Sequence, residues 1–310
     1  MSTTTVATTV PGHLRTRTNP VIVLSFLLPS LVGFALFILL PAVATLGFSF
    51  TNFSGGFKNL EFVGLRNYAR ALTSESFYQA LWVTFKFVVL SVGFQLVLAF
   101  VFALLLHLPM RGRNLLRGTI FLPSVLSPVA ISLVFALMMH PQNGALNQLL
   151  ELVGLQPLKW LASKDSALNS IILVTVWQQT GYYMVIFLAG LLSISPTLYE
   201  VAELDGATWW HKLTRVTIPM LTPTAFFALT MAIIKAFQVF DQVFVMTGGQ
   251  DGGGPSGSTT VLVFDIYIQG FVYFNMGYAA TEAVLLLAIV LFITVVQYRQ
   301  QAKWVSYDLS

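Results

Sequence analysis

The segment WQQTGYYM, residues 177–184, places one tryptophan, two glutamines and two tyrosines close together. Trp177, Gln178, Gln179, Tyr182 and Tyr183 offer planar amides and aromatic faces. Such groups hydrogen-bond to hydroxyls and stack on the rings of a polyhydroxylated ligand. Gln238 and Asp241, in FQVFD, add an amide and a carboxylate. At helical spacing Gln179, Tyr182 and Tyr183 can share a face, and so can Gln238 and Asp241. The competing use of these side chains is cross-helix hydrogen bonding between membrane helices. The sequence weighs the two uses about equally.

Catalytic capacity is thin. The four histidines are His13, His107, His140 and His211, and none forms an HExxH pair. Cysteine is absent, which removes disulfides, thiolate metal sites and a cysteine nucleophile. The stretch TGGQDGGGPSGSTT is rich in glycine, but a phosphate-cradling loop needs Lys and then Ser or Thr after its last glycine. Here Pro255 follows Gly254, and the stretch reads as a flexible surface loop. No catalytic residue, metal ligand or cofactor site is assigned, and nothing points to a nucleic acid partner.

The elements that must position these groups are set by composition. Of 310 residues, 56% are hydrophobic and 9% are charged, against about 25% charged in soluble domains. Mean hydropathy is +0.79. The solvent for most of such a chain is the lipid bilayer, and the fold class is an all-α polytopic membrane protein. About 20 apolar residues span a bilayer as a helix, and six segments qualify: 20–50, 80–107, 118–140, 167–193, 221–246 and 277–298. The first is long and contains Pro29 and Pro41, which suits a tilt or a projecting end. Residues 1–19 are polar and Thr-rich and read as a disordered tail with no cleavable leader. A short amphipathic helix is expected around 146–153.

Six spans put Arg15, Arg17, Arg111, Arg113, Arg117, Lys212, Arg215, Arg299 and Lys303 on one side. The other side carries Lys58, Arg66, Arg70, Lys159 and Lys164. Three arginines in the short connection LPMRGRNLLRG are the strongest orienting signal, so both termini are expected in the cytoplasm. Charges within or near the spans are Lys86, Lys235, Asp241 and Glu282. Each is a functional candidate or one half of a structural pair. Glu282, about a turn into the last span, is placed to reach the outer water.

Between the fourth and fifth spans lies SISPTLYEVAELDGATWWHKLTRVTIPMLTP, residues 193–223. Ser195 and Pro196 suit the start of a helix. Leu198, Val201 and Ala202 make a small apolar stripe, with Glu200 near the positive end of the helix dipole. Asp205-Gly206 breaks the helix, and Asp205 is expected to cap a second one from Ala207. Trp209 and Trp210 suit the membrane interface, and Pro219 and Pro223 mark the approach to the next span. Physics alone allows an interfacial hairpin or a docking knob for a soluble partner, with about equal weight.

Glu200-Val-Ala-x-x-Asp205-Gly206-Ala207, followed by Val216-Thr-Ile-Pro219, resembles the EAA loop of binding-protein-dependent ABC importer permeases. The family pattern is roughly EAAxxDGA, a spacer, then IxLP. Val201 and Ile218 depart from it, each keeping an apolar residue. FVGLRNYARAL, RGRNLLRGTIFLPSVLSPVAISLVF, WQQTGYYMVIFLAGLLSISPTLYE, FQVFDQVFVMTGG, GSTTVLVFDIYIQGF and NMGYAA also resemble the carbohydrate-type subfamily, so the likeness covers nearly the whole chain. It is similar to the member related to the larger maltose permease and the glycerol-phosphate permease.

The resemblance implies a type I ABC importer permease fold in a bacterial or archaeal cytoplasmic membrane. It implies a first span with outer connector (20–79), a five-span core (80–298) holding the coupling segment 194–220, and a C-terminal tail (299–310). Glu200, Ala202, Asp205, Gly206, Ala207 and Pro219 are implied to couple to an ATPase. Trp177, Gln178, Gln179, Tyr182, Tyr183, Gln238 and Asp241 are implied to line the substrate path. Implied partners are a second homologous permease, two ATP-binding-cassette subunits that carry ATP and Mg, an extracytoplasmic binding protein and the bilayer. The implied cargo is a sugar, with glycerol 3-phosphate or a glycerophosphodiester as the alternative. Readings of another class are an ion-coupled secondary carrier, for which no convincing internal repeat is found, and a scaffold without transport.

Overall fold

The computed structural model describes residues 20–56, 60–249 and 252–304. The expected N-terminal tail, 1–19, lies outside the described residues, as does the end of the C-terminal tail from 305. The chain divides into two compact units, residues 1–45 and 46–310.

The first unit is helical wherever it is described. Helix α1 (Pro20–Phe34) passes through a π-helical turn, Ala35–Leu39, into α2 (Leu40–Phe48). Proline lacks an N–H and crowds the carbonyl four residues before it. The wider turn just ahead of Pro41 accommodates that defect without ending the helix. From Leu24 onward most of its apolar side chains are exposed, Phe26 and Phe37 above 80%, as a lipid-facing helix requires.

In the second unit the described residues contain no strand, only an isolated bridge between Thr51 and Phe62. Helix α3 (Arg66–Thr73) leads into α4 (Glu75–His107), whose start is capped by Ser74 accepting from the Phe77 amide. Helices α5 (Arg113–Val125) and α6 (Pro128–Met138) follow, then the short α7 (Ala145–Leu152) where an amphipathic helix was expected. Helix α8 (Ala167–Ser193) is the centre of the bundle and packs on α4, α5 and α11 (Ile218–Phe237). The close approach rests on small residues. Ala99 and Ala103 of α4 and Ala228 and Ala232 of α11 are fully buried. A Cβ on Gly181 of α8 would stand 2.0 Å from the Ile120 carbonyl oxygen of α5. Without a hydrophobic drive between helices in lipid, such contact is what holds them together.

The short helices α9 (Pro196–Leu204) and α10 (Trp209–Lys212) form the connection between α8 and α11. Helix α12 (Asp241–Met246) follows α11, and α13 (Leu262–Tyr267) runs through a π-helical turn, Ile268–Val272, toward α14 (Met276–Trp304). The Leu262 amide at the start of α13 is satisfied by Thr84 Oγ1 of α4 at 2.8 Å.

Five described helices are long and apolar enough to cross a membrane. The sixth expected span, 118–140, is not one rod. Helices α5 and α6 meet at 95°, because Leu126 and Ser127 are extended ahead of Pro128, as a residue before proline is biased to be. The fifth span is also displaced. It runs as one helix from Trp209 through a π-helical turn (Leu213–Thr217) to Phe237, then breaks before α12, so residues 238–246 are not its continuation. The last helix reaches Trp304, into the segment expected as tail.

Candidate functional site

A polar cavity of about 340 Å³ opens between α4, α8 and the break from α11 to α12. Helix α4 contributes Ser91 and Gln95, and α8 contributes Thr175, Gln179 and Tyr183. Lys235 and Gln238 come from the end of α11, and Asp241 and Gln242 from the start of α12. Phe87 and Phe240 complete the walls. The break places Lys235 in the last turn of one helix and Asp241 in the first turn of another. Each charge therefore meets the helix-dipole end that stabilises it. Lys235 Nζ lies 4.2 Å from the centre of the Tyr182 ring, a cation–π contact that holds its charge at the cavity.

The expected substrate-path residues separate into groups. Gln179, Tyr183, Gln238 and Asp241 line the cavity. Tyr182 does not line it but supports Lys235. Gln178 is fully buried and acts as a bracket. Its Nε2 donates to the Leu126 carbonyl at the α5–α6 bend at 3.3 Å, and its Oε1 accepts from Gln242 Nε2 at 3.1 Å. Trp177 does not line the cavity either; it is 47% exposed with its ring against Phe135 of α6. Sequence reasoning missed Ser91, Gln95, Thr175 and Gln242. Ser91 and Gln95 are polar residues one turn apart in an otherwise apolar span, which is a readable signal.

Of the other charges in the spans, Lys86 is exposed. Glu282 does not reach water as expected. It is fully buried, and neither of its carboxylate oxygens has a hydrogen-bond partner among the described residues. The reason is α13, which packs along α14 and covers that turn.

The second cluster is the connection between α8 and α11. Pro196 occupies the first turn of α9, with Ser195 extended ahead of it. The Ser195 hydroxyl bonds Thr197 rather than a backbone amide. At the other end Gly206 has φ +73°, a left-handed conformation that glycine adopts without steric cost. The Ala207 amide donates to the Ala202 carbonyl at 2.9 Å and the Gly206 amide to Glu203 at 3.0 Å, closing the helix as a left-handed cap does. Asp205 does not cap the next helix. Thr208 does, accepting from the His211 amide, since α10 begins two residues later than expected.

Lys212 Nζ and Glu203 Oε1 pair at 2.6 Å and tie α10 back to α9. Tyr199 and Thr217 share a hydrogen bond at 3.0 Å. Glu203 was not singled out in the sequence, because a partner nine residues away across a turn follows no helical spacing. Glu200 and Asp205 are exposed and carry no ion pair among the described residues. Val201, Leu204, Trp209 and Trp210 are also exposed, Leu204 at 88%. Ala202 and Ala207 are half-buried beneath them. Pro219 lies apart from this knob, in the first turn of α11.

A helical bundle for the bilayer, with a polar cavity at a broken span and a rigid, partly apolar knob at a span end, defines a membrane-embedded transport subunit. The chain belongs to the family of binding-protein-dependent transport system inner membrane components, which it matches over residues 95–306. It is thus a multi-pass permease of the inner membrane, the component that does not hydrolyse ATP. It is 34% identical over 266 residues to the trehalose/maltose transport system permease protein MalF of Thermococcus litoralis, covering 86% of this chain and 88% of that one. It is 30% identical over 283 residues to the sn-glycerol-3-phosphate transport system permease protein UgpA of Pectobacterium atrosepticum, covering 91% and 94%. Among solved structures it is similar to a chain of a bacterial ABC transporter involved in import of the acidic polysaccharide alginate. The TM-score is 0.75 and the identity 26%, over 90% of this chain and 95% of that one.

Proposed function

We propose that this permease passes a sugar delivered by an extracytoplasmic binding protein, in a complex with a second homologous permease and two ATP-binding-cassette subunits that carry ATP and Mg. The cavity supports the reading. Amides at Gln95, Gln179, Gln238 and Gln242 and hydroxyls at Ser91 and Thr175 stand between the aromatic walls Phe87, Tyr183 and Phe240. That mixture of directional hydrogen-bonding groups and flat apolar faces suits a pyranose ring. The trehalose/maltose relative supports the same class of cargo.

The proposal extends to the knob. Glu200, Ala202, Asp205, Gly206 and Ala207 form the surface that engages the ATPase, with Pro219 supporting the helix behind it. The unpaired Glu200 and Asp205 offer acceptors to basic groups on that partner. Both termini are placed in the cytoplasm, with 20–79 as first span and outer connector and 80–298 as the transport core.

A second reading has one observation in its favour. Lys235 faces the cavity without an acidic partner within ion-pair distance among the described residues, which suits a phosphorylated cargo such as glycerol 3-phosphate. Uptake of labelled maltose, trehalose and glycerol 3-phosphate by cells expressing the whole system separates the two. Gln179→Ala with Gln238→Ala should raise KM for the transported sugar. Transport of glycerol 3-phosphate alone, abolished by Lys235→Gln, would replace the sugar reading. Unchanged kinetics in every variant would remove the cavity from the path.

A further inference from the structure

The turn joining α4 to α5 carries Arg111, the first turns of α5 carry Arg113 and Arg117, and no acidic residue lies between Leu108 and Arg117. Arg117 Nη2 donates to the Leu106 carbonyl at the end of α4 at 2.7 Å, pinning the two helices together. Its Nε is buried without a partner, and so is Nδ1 of His107. Arg111 and Arg113 make no ion pair; among the described residues the one such pair is Lys212 with Glu203. Like charges gathered at a membrane surface with no counter-charge favour an anion from outside the chain.

A shallow, open concavity lies over this turn, lined from Pro109 to Leu115. Leu108, the residue before that stretch, lines a second opening. His107 and Leu108 line a slot of about 280 Å³ between the end of α4 and the α9–α10 knob. Leu104, Leu105, Leu191, Trp209 and Leu213 make its walls mostly apolar, and the Glu203–Lys212 ion pair also lines it. A soluble anion would use the arginines and have no use for the slot. An amphiphile uses both.

We propose that this turn binds an anionic phospholipid, with the phosphodiester on Arg111 and Arg113 and part of an acyl chain in the slot beside the knob. Guanidinium groups match the paired oxygens of a phosphodiester. Exposed Trp209 and Trp210 place the slot at headgroup depth. Only the choice of leaflet rests on the orientation proposed above. Binding itself requires neither the cargo nor the ATPase assignment, so its failure would leave those readings standing.

The test uses the full chain purified with the subunits that accompany it. Native mass spectrometry would count lipids retained after incubation with dioleoyl phosphatidylglycerol or dioleoyl phosphatidylcholine. Phosphatidylglycerol should be retained preferentially. Each arginine lost should weaken it about fivefold, so Arg111→Gln with Arg113→Gln should weaken it about twenty-five-fold. Arg111→Lys with Arg113→Lys, which keeps both charges and loses the bidentate fork, should fall between the wild type and the double Gln variant. Leu108→Trp, which fills the slot and changes no charge, should also lower retention. Equal retention of the two lipids, or no loss in the double Gln variant, would overturn the proposal. Full retention in Leu108→Trp would reduce the effect to surface charge and overturn the site. Displacement by millimolar inorganic phosphate would assign the arginines to a free anion instead.

Discussion

Substitutions at Gly206 test whether the knob works through its backbone shape. Its φ of +73° is the reason for glycine there, because a Cβ would meet nothing within 4 Å. The cost of Gly206→Ala is therefore conformational alone, about 1–2 kcal/mol for an L-residue held in the left-handed region. Asn tolerates that region and should cost less. Proline cannot reach it, and it removes the amide that donates to Glu203, worth about another 1 kcal/mol. It also disfavours the near-helical conformation of Asp205, φ −78° and ψ 3°. If the ATPase engages only the closed turn, its affinity should fall in the order Asn, Ala, Pro. The loss for Ala should be about 5- to 30-fold, and for Pro it should be nearly complete. The assay is ATPase binding to permease in nanodiscs, with membrane insertion checked separately. A collapse with Ala as deep as with Pro would refute the reasoning. The glycine would then be required because the partner's surface leaves no room for a Cβ, and not for its backbone angle.

Gln178→Ala should lower thermal stability by about 1–3 kcal/mol, because it leaves Gln242 and the Leu126 carbonyl unpaired; Gln179→Ala should leave the melting temperature alone and raise KM in an uptake assay. Gly181→Ala should destabilise by about 1–3 kcal/mol or more, read by melting in detergent, since the Ile120 backbone cannot yield by more than an ångström. Gly118→Ala, with open space around its Cβ, is the silent control. A double-mutant cycle on Glu203→Gln and Lys212→Met should give a coupling of about 0–1 kcal/mol, because Glu203 is 62% exposed and water screens the pair.

Apolar length was enough to place four of the six spans to within a few residues of their helices and to announce that the chain lives in lipid. Direction was not legible in the same way. Hydropathy is unchanged when a helix turns through a right angle, so 118–140 read as one span although Ser127-Pro128 was there to be read as a break. The adjacent glutamines show the limit for the site. Helical spacing separates Gln178 and Gln179 by about 100°, but which of the two meets a cavity depends on where α12 comes to rest. That contact is long-range and leaves no local trace. The knob was more legible because its signals are local: a proline start, a glycine stop and paired tryptophans. The caps were less legible: Ser195 stands at the first helix start without bonding a backbone amide, and Asp205 and Thr208 are both good capping residues, so the backbone decided between them.

The helix from Trp209 to Phe237 is 29 residues of unbroken chain, about 43 Å at 1.5 Å per residue. Its near end meets α9, where Lys212 pairs with Glu203 and Thr217 bonds Tyr199, and its far end is where Lys235 and Gln238 stand at the cavity. It is a lever with one load at each tip. A tilt of about 5° around one tip carries the other through roughly 4 Å over that length, more than the reach of a hydrogen bond. A pivot of that size at the knob is enough to make or unmake the cavity's polar lining without any helix having to unfold.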